Sequence, residues 1–153
     1  MRNKKLLALK QLDRKIEPFM DTERVEIPSG GWIRVIRNSL NITLEQLGSK
    51  LGMGRTGVKN LEEREANGTI TLKYLQEFAM ALELKFVYGF VPIKGTFEDL
   101  VEAKSRNLAR EIVMRTSHNM ALENQAIEDE RLKEAVEELA AEIKNEVRKS
   151  IWD

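Results

Sequence analysis

The sequence has no cysteine, and its 153 residues include a single histidine, His118. Without cysteine the chain forms neither disulfides nor thiolate metal sites, and one histidine leaves a zinc site short of ligands. There is no glycine-rich phosphate loop, so we expect a protein that is not an enzyme and has no catalytic residues, metal or cofactor. There is also no signal peptide and no apolar run long enough to cross a membrane, which predicts a cytoplasmic protein without a membrane partner.

Neither sign of charge is in excess, since 25 Lys and Arg balance 25 Asp and Glu. The two signs are unevenly distributed along the chain. Residues 1–20 carry six basic residues against two acidic ones, residues 30–70 carry six against four, and residues 125–153 carry five against nine. The basic side suits contacts with phosphates. The acidic side favours a solvated face or a protein-binding surface.

Residues 43–63 predict two short helices joined by a tight turn. Thr43 is a hydroxyl N-cap with Gln46 three residues on, the spacing of a capping box. Gly52 ends the first helix, because glycine takes the left-handed conformation at little cost. The apolar residues of both helices recur at helical spacing and form one inward seam. They are Leu44, Leu47, Leu51, Val58 and Leu61.

The outward face of the second helix, which begins near Gly54, is polar and basic. It presents Arg55, Thr56, Lys59 and Asn60, whose side chains can bond base edges and phosphates. A buried seam beneath such a helix is the helix-turn-helix arrangement of DNA-binding proteins, and an ordinary αα-hairpin is the alternative. We therefore predict binding to double-stranded operator DNA. We expect Thr43 to meet a phosphate at the N-terminus of the first helix.

Helices are also predicted on both sides of this pair. Residues 3–20 form an amphipathic helix that packs on its own domain, mediates dimerisation or acts as a basic arm near DNA. A turn at residues 28–31 precedes the first helix of the core. The inward residues expected for that helix are Trp32, Ile36 and Leu40, and its outward arginines, which meet either solvent or a phosphate, are Arg34 and Arg37.

Residues 84–92 predict a short strand, because they are rich in β-branched and aromatic residues. A lone strand needs a partner, either residues 24–27 or the same strand of a second subunit. Symmetric pairing would give a homodimer that reads two half-sites on DNA. The predicted domains are an N-terminal helix with a connector (1–29), the DNA-binding domain (30–92) and a C-terminal helical extension (93–153).

The helix pair carries the pattern Leu47…Leu51-Gly52…Val58…Leu61-Glu62. This pattern resembles the XRE (Cro/C1-type repressor) family over roughly residues 31–82. The predicted fold class is therefore mostly all-α. It comprises a five-helix XRE-type helix-turn-helix core with one short strand, flanked by helical N- and C-terminal extensions.

Three longer runs extend the comparison over most of the chain: Gly31-Trp32-Ile33-Arg34-x-Ile36-Arg37, Leu61-Glu62-x-Arg64-Glu65-x-x-Gly68-Thr69-Ile70 and Val87-Tyr88-x-x-Val91-Pro92. They resemble the family called mobile mystery protein A. Members of that family are encoded beside mobile mystery protein B, which has a Fic domain, and Fic domains commonly transfer AMP from ATP to a protein hydroxyl. The resemblance implies the antitoxin of a Fic-type toxin–antitoxin pair.

A second pattern lies at Asn119-Met120-Ala121-Leu122-Glu123-Asn124. It resembles the Fic-inhibitory pattern Ser/Thr-x-x-x-Glu-Gly/Asn, except that Asn119 replaces the hydroxyl residue; asparagine can still donate and accept hydrogen bonds. The resemblance implies that Glu123 pairs with an arginine of the Fic protein that otherwise holds the γ-phosphate of ATP. The alternative is a surface helix end in which Asn124 is the C-cap.

Three functional hypotheses follow. The first is an antitoxin that represses its own operon through the helix pair and inhibits AMP transfer by a Fic partner through Asn119, Glu123 and Asn124. The second is a stand-alone XRE-type repressor whose C-terminal helices only dimerise. The third is an antitoxin of an unrelated toxin, such as a ribonuclease.

Overall fold

The computed structural model describes residues 3–117 and 125–153. Over these residues the chain is all-α, with seven α-helices, two 3-10 segments and no strand, which confirms the predicted class. The α-helices are α1 (Asn3–Ile16), α2 (Trp32–Ser39), α3 (Leu44–Leu51), α4 (Arg55–Asn67), α5 (Leu72–Ala81), α6 (Phe97–Ser117) and α7 (Gln125–Glu146). The 3-10 segments are Glu17–Arg24 and Lys149–Trp152.

The chain divides into two units. One unit is Glu23–Gly89 and contains α2 to α5; the other combines Met1–Thr22 with Phe90–Asp153 and contains α1, α6 and α7. The N-terminal helix therefore shares a unit with the C-terminal helices, whereas the sequence analysis divided the chain into three consecutive segments.

The unit of residues 23–89 is built around one fully buried side chain from each of its four helices. These side chains are Ile33, Leu47, Val58 and Phe78, each exposed by 5% or less. Burial of each aliphatic or aromatic side chain contributes roughly 1.5–3 kcal/mol. The structure gives this unit four α-helices, α2 to α5, within the described residues, so the predicted five-helix core is not confirmed.

The α3–α4 connection forms as its residues predict. The Gln46 backbone N–H donates to Thr43 Oγ1 at 3.1 Å, and the Thr43 N–H donates to Gln46 Oε1 at 2.9 Å, which completes the capping box. Gly52 ends α3 in the left-handed conformation, with φ 70° and ψ 32°. At Gly48 a Cβ atom would lie 2.5 Å from the Met53 carbonyl oxygen, so only glycine allows this close turn.

Helix α2 is rotated relative to the prediction. Trp32, Ile36 and Leu40 were expected to face inward, but the fully buried residue is Ile33, and Ile36 packs beside it. Trp32 is 37% exposed and Leu40 is 55% exposed. The helix ends at Ser39, so Leu40 lies beyond the face that the helix presents to the core.

The strand predicted over residues 84–92 is not confirmed, because these residues are irregular in the structure. A strand exists only where a neighbouring backbone supplies hydrogen-bond partners. The Leu84 N–H instead donates back to the Ala79 carbonyl at the end of α5, and residues 24–27 form no ladder with this stretch. The rings of Phe86 and Tyr88 stack with centroids 5.5 Å apart, as residues two apart do when the backbone is extended.

The second unit is an antiparallel pair, α6 and α7, on which α1 packs. Ion pairs across the two helices follow the antiparallel direction: Lys144 Nζ lies 3.3 Å from Glu98 Oε1, and Arg106 Nη2 lies 3.3 Å from Glu137 Oε2. Leu9 of α1 packs against the buried core of this unit. That core comprises Val101, Ala109, Ala140, Ile143 and Ile151.

A carboxylate joins α1 to the start of α6. Asp13 Oδ1 accepts from the Phe97 N–H at 2.7 Å, and Asp13 Oδ2 accepts from the Glu98 N–H at 3.1 Å. N–H groups in the first turn of a helix have no partner within the helix, and a negative charge at this end also interacts favourably with the helix dipole. Asp13 therefore acts as an N-terminal cap supplied from another helix.

Candidate nucleic-acid interface

Helix α4 has one buried side and one exposed side. Val58 and Leu61 are buried at 0% and 4% exposure and fix the inward side. The four side chains predicted to contact DNA all lie on the exposed side, in the first two turns of the helix. They are Arg55, Thr56, Lys59 and Asn60.

A buried ion pair joins α4 to α2. Arg37 Nε donates to Glu62 Oε1 at 2.6 Å, and Arg37 Nη1 donates to the Ile42 carbonyl at 3.1 Å. The two charged side chains are only 12% and 9% exposed. The helical period predicts Arg37 on the outward face, where it would meet either solvent or a phosphate. That expectation is wrong, because its guanidinium is committed inside the unit.

A second carboxylate of α4 caps α2. Glu65 Oε2 accepts from the Trp32 N–H at 2.9 Å, and Glu65 Oε1 accepts from the Ile33 N–H at 2.8 Å. Gly31 makes this approach possible, since a Cβ atom there would lie 2.7 Å from Glu65 Oε1 and its φ is 85°. Glu62 and Glu65 lie one turn apart on α4, so together they fix how the helix presents its other side.

The polar side chains on the exposed side of α4 are largely uncommitted. Arg55 Nη1 lies 3.3 Å from Glu45 Oε1, but both side chains are more than 60% exposed, and such surface pairs are weak. Thr56, Lys59 and Asn60 form no side-chain hydrogen bond or ion pair with the rest of the described chain. These groups are free to bond an external partner.

Charge limits how far along α4 this surface extends. Glu63 is exposed one turn after Lys59 and interrupts the cationic and polar stretch after two turns, although Arg64 is exposed next to it. In helix-turn-helix proteins the second helix lies in the major groove of DNA, and the residues of its first turns contact the base edges. Beside these turns a cavity of about 240 Å³ lies between α2 and α4, and Arg34 and Lys59 both line it.

Thr43 lies at the N-terminus of α3 and is exposed. Its hydroxyl oxygen accepts from the Gln46 N–H, which leaves the hydroxyl proton free to donate. A phosphate oxygen at a helix N-terminus is a suitable acceptor. The structure therefore leaves Thr43 chemically able to make the predicted contact.

The predicted Fic-inhibitory residues Asn119, Glu123 and Asn124 lie outside the described residues. In the sequence they fall between the end of α6 at Ser117 and the start of α7 at Gln125. The described part of the chain contains no group of three or more His, Cys, Asp or Glu side chains placed to hold a metal ion. No helix within it combines the length and apolarity that spanning a bilayer requires.

Two structural features of this surface cannot be predicted from local sequence patterns. Arg37 and Glu62 are 25 residues apart, and Trp32 and Glu65 are 33 apart, so no local spacing connects the partners. The unusual burial of Glu62 was also invisible, because a glutamate in a helix is ordinarily solvated. The one local signal is the run Gly30-Gly31, which by itself predicts only a turn.

No family model, curated protein or solved structure matches the chain. The resemblances to the XRE and mobile mystery protein A families therefore stay predictions that rest on their residue patterns.

Proposed function

We propose that the protein binds double-stranded operator DNA as a helix-turn-helix repressor of its own operon, with α4 in the major groove. One observation carries this proposal. The first two turns of α4 expose a cation and two uncommitted polar groups beside Arg55, while the opposite side of the same helix is fixed by two carboxylates. The buried side of α4 is held in place, and the exposed side chains have no partner within the described chain. This combination suits selective contacts with base edges.

The chemistry of each side chain matches a group on DNA. One arginine side chain can form two hydrogen bonds to the O6 and N7 atoms of guanine, and one asparagine side chain can form two to N6 and N7 of adenine. In this proposal Arg55 and Asn60 read bases, Thr56 and Lys59 read or flank them, and Thr43 binds a phosphate. Arg34, which shares the cavity with Lys59, supplies a further phosphate contact.

An ordinary αα-hairpin explains less of what is observed. It accounts for the buried seam of Leu47, Val58 and Leu61. It gives no reason for Glu62 and Glu65 both to bond α2 while the other side of α4 is left unpaired. Glu62 and Glu65 both hold α4 in one orientation against α2, which supports a role for that orientation in binding.

We also propose that the protein binds DNA as a homodimer. The support is an apolar cavity of about 440 Å³ in the unit of residues 23–89, beside the irregular segment that follows α5. Val87 and Tyr88 of that segment are 64% and 58% exposed. A second copy of the chain placed symmetrically here would cover these side chains and present two copies of α4.

The repressor proposal is tested on a duplex selected from a random-sequence library by the purified protein. Arg55→Ala should weaken binding to that duplex by about 1–3 kcal/mol if it makes a paired guanine contact, and should relax selectivity at one base position. Lys73→Ala on α5, an exposed lysine of the same unit, is the matched control and should leave affinity nearly unchanged. Unchanged gel shifts for both Arg55→Ala and Lys59→Ala would exclude α4 from the groove.

A second proposed function is inhibition of a Fic-domain AMP transferase through Glu123, as the antitoxin of that protein. The observation that favours it is placement in the sequence. The pattern of residues 119–124 falls between α6 and α7, in the unit that does not contain α4. Repression and inhibition would then use separate parts of the chain. A glutamate held against a partner arginine would occupy the site that ATP needs, and the ion pair would strengthen as water leaves, although desolvation offsets part of that gain.

This second function predicts a Fic protein encoded beside the gene, and it is tested with that protein. Glu123→Gly should keep the complex but release AMP transfer, seen as label passing from ATP to proteins of a target lysate. Operator binding should not change, because α4 is untouched. If the Glu123→Gly complex stays as inactive as wild type while the free Fic protein is active, Glu123 is not the inhibitory group. Failure of the pair to co-purify would favour a stand-alone repressor or an antitoxin of another toxin.

A further inference from the structure

Helix α1 has a cationic face that the unit containing it does not use. Leu6, Leu9 and Ile16 are half-buried, and Leu9 packs on the core of α6 and α7. The helical period places Lys4, Arg14 and Lys15 on the opposite side of α1, with Lys10 at the edge of that side. These four cations are exposed, and so is Lys5 at the edge of the packed side.

These four cations have no carboxylate to neutralise them. None forms an ion pair or side-chain hydrogen bond with the rest of the described chain. Asp13, the one acidic residue of α1, is turned inward and caps the start of α6. The next acid, Glu17, follows the end of the helix. The outer face of α1 therefore carries uncompensated positive charge.

We infer that this α1 face binds the phosphate backbone of duplex DNA without regard to sequence. The inference rests on the proposed DNA-binding function and adds a second, electrostatic contact to it. Lys4 and Lys15 are eleven residues apart, so the cations extend over roughly 16 Å at 1.5 Å per residue. One DNA strand presents a phosphate about every 3.4 Å along its axis, so several phosphates fall within that length.

An anionic membrane fits this face less well. A helix that lies in a membrane interface inserts its apolar side among the lipids. The apolar side of α1 is occupied by packing on α6 and α7, and its two exposed leucines, Leu7 at 54% and Leu12 at 39%, lie on different sides of the helix and form no continuous apolar face. Phosphate contacts need exposed cations and no free apolar face, which matches α1.

A second copy of the chain also fits less well. The candidate acidic surface is α7, which exposes Asp129, Glu130, Glu134 and Glu138, but the exposed cations Arg131 and Lys133 lie among these acids, whereas a DNA backbone carries negative charge alone. Glu137 lies 3.3 Å from Arg106 and is already paired. The charge pattern of α1 therefore favours nucleic acid over self-association.

The test measures binding to a random-sequence 40-base-pair duplex between 50 and 200 mM KCl. The variant K4Q/K10Q/R14Q/K15Q should reduce the slope of log K against log salt by up to about 3.6, since each phosphate contact contributes about 0.9. The double variant K4Q/K15Q should lose about half of that amount. The control K104Q/R110Q/R131Q/K133Q removes the same charge from exposed positions of α6 and α7, and its slope should change by less than 1.

Equal slope losses in the two fourfold variants would mean a general effect of net charge and would overturn the inference. An unchanged slope would overturn it as well. If the slope is unchanged but the α1 variant loses binding to phosphatidylserine vesicles, the face binds a membrane. If the slope is unchanged but the variant shifts from dimer to monomer, the face binds a second copy of the chain. The repressor proposal fails separately, when Arg55→Ala and Lys59→Ala leave binding to the selected duplex unchanged. A wild-type protein without affinity for either duplex would overturn both.

Discussion

Arg37 of α2 and Glu62 of α4 form a buried ion pair, with Nε 2.6 Å from Oε1 and neither side chain more than 12% exposed. The pair lies beneath the helix that we propose enters the DNA groove. Its partners come from the two helices whose relative position determines where Arg55 and Asn60 point. The pair therefore links the stability of this unit to the geometry of its surface.

Removal of one partner of this pair should be costly. Arg37→Ala leaves the Glu62 carboxylate buried without its cation, and we expect a loss of about 3–5 kcal/mol in the free energy of unfolding. Urea titration followed by circular dichroism measures it. The double variant Arg37→Met/Glu62→Leu should recover most of the loss, because no charge is then left unpaired. Glu45→Ala, which breaks the exposed pair with Arg55, should cost less than about 1 kcal/mol. A cost for Arg37→Ala as small as that of Glu45→Ala would contradict the prediction.

The Glu65 cap should matter for the start of α2. Glu65→Ala removes the acceptors of the Trp32 and Ile33 N–H groups, and loss of a helix cap costs about 0.5–2 kcal/mol. Both amides should exchange with solvent faster in hydrogen-exchange measurements. Glu65→Gln should be intermediate, since its amide keeps one oxygen acceptor and replaces the other with a donor. Unchanged exchange at both amides in Glu65→Ala would show that the cap is not needed.

Asp13 should hold α1 on its unit. Asp13→Ala should cost about 0.5–2 kcal/mol and speed amide exchange along α1 as well as at the start of α6. Asp99→Ala is the matched control, because Asp99 caps the same turn of α6 locally through the Thr96 N–H at 2.9 Å. That variant should loosen α6 without loosening α1. Identical exchange in α1 for the two variants would mean that the Asp13 bonds do not hold the helix.

The proposed homodimer predicts a two-fold footprint on DNA. Half-sites should lie about 34–36 Å apart, one helical turn, so that two copies of α4 reach successive major grooves. Val87→Asp should weaken the dimer, because it places a charge where apolar side chains would meet. Met80→Asp, at a 78% exposed position of α5, should leave the dimer intact. A footprint over a single half-site with the mass of a monomer would contradict the dimer.

Local chemistry alone determined the α3–α4 connection. The capping box joins Thr43 to Gln46, three residues apart, and Gly52 ends the helix through its own backbone conformation. Each of these features depends on neighbouring residues alone, so the sequence is enough to predict it. The apolar period likewise placed Leu47, Val58 and Leu61 inside. The exposed positions of Arg55 and Lys59 followed from the same period. These interactions depend on neighbours within about four residues, and their outcome changes little with the rest of the fold.

Tertiary packing decided the features that join distant parts of the chain. Asp13 caps a helix that starts 84 residues later, and Glu62 finds Arg37 across 25 residues. Packing also selected Ile33 rather than Trp32 and Leu40 for the core, and it left residues 84–92 without a strand partner. In each case the outcome depends on groups that come into contact only when the helices pack, and spacing along the sequence does not show which distant groups these are.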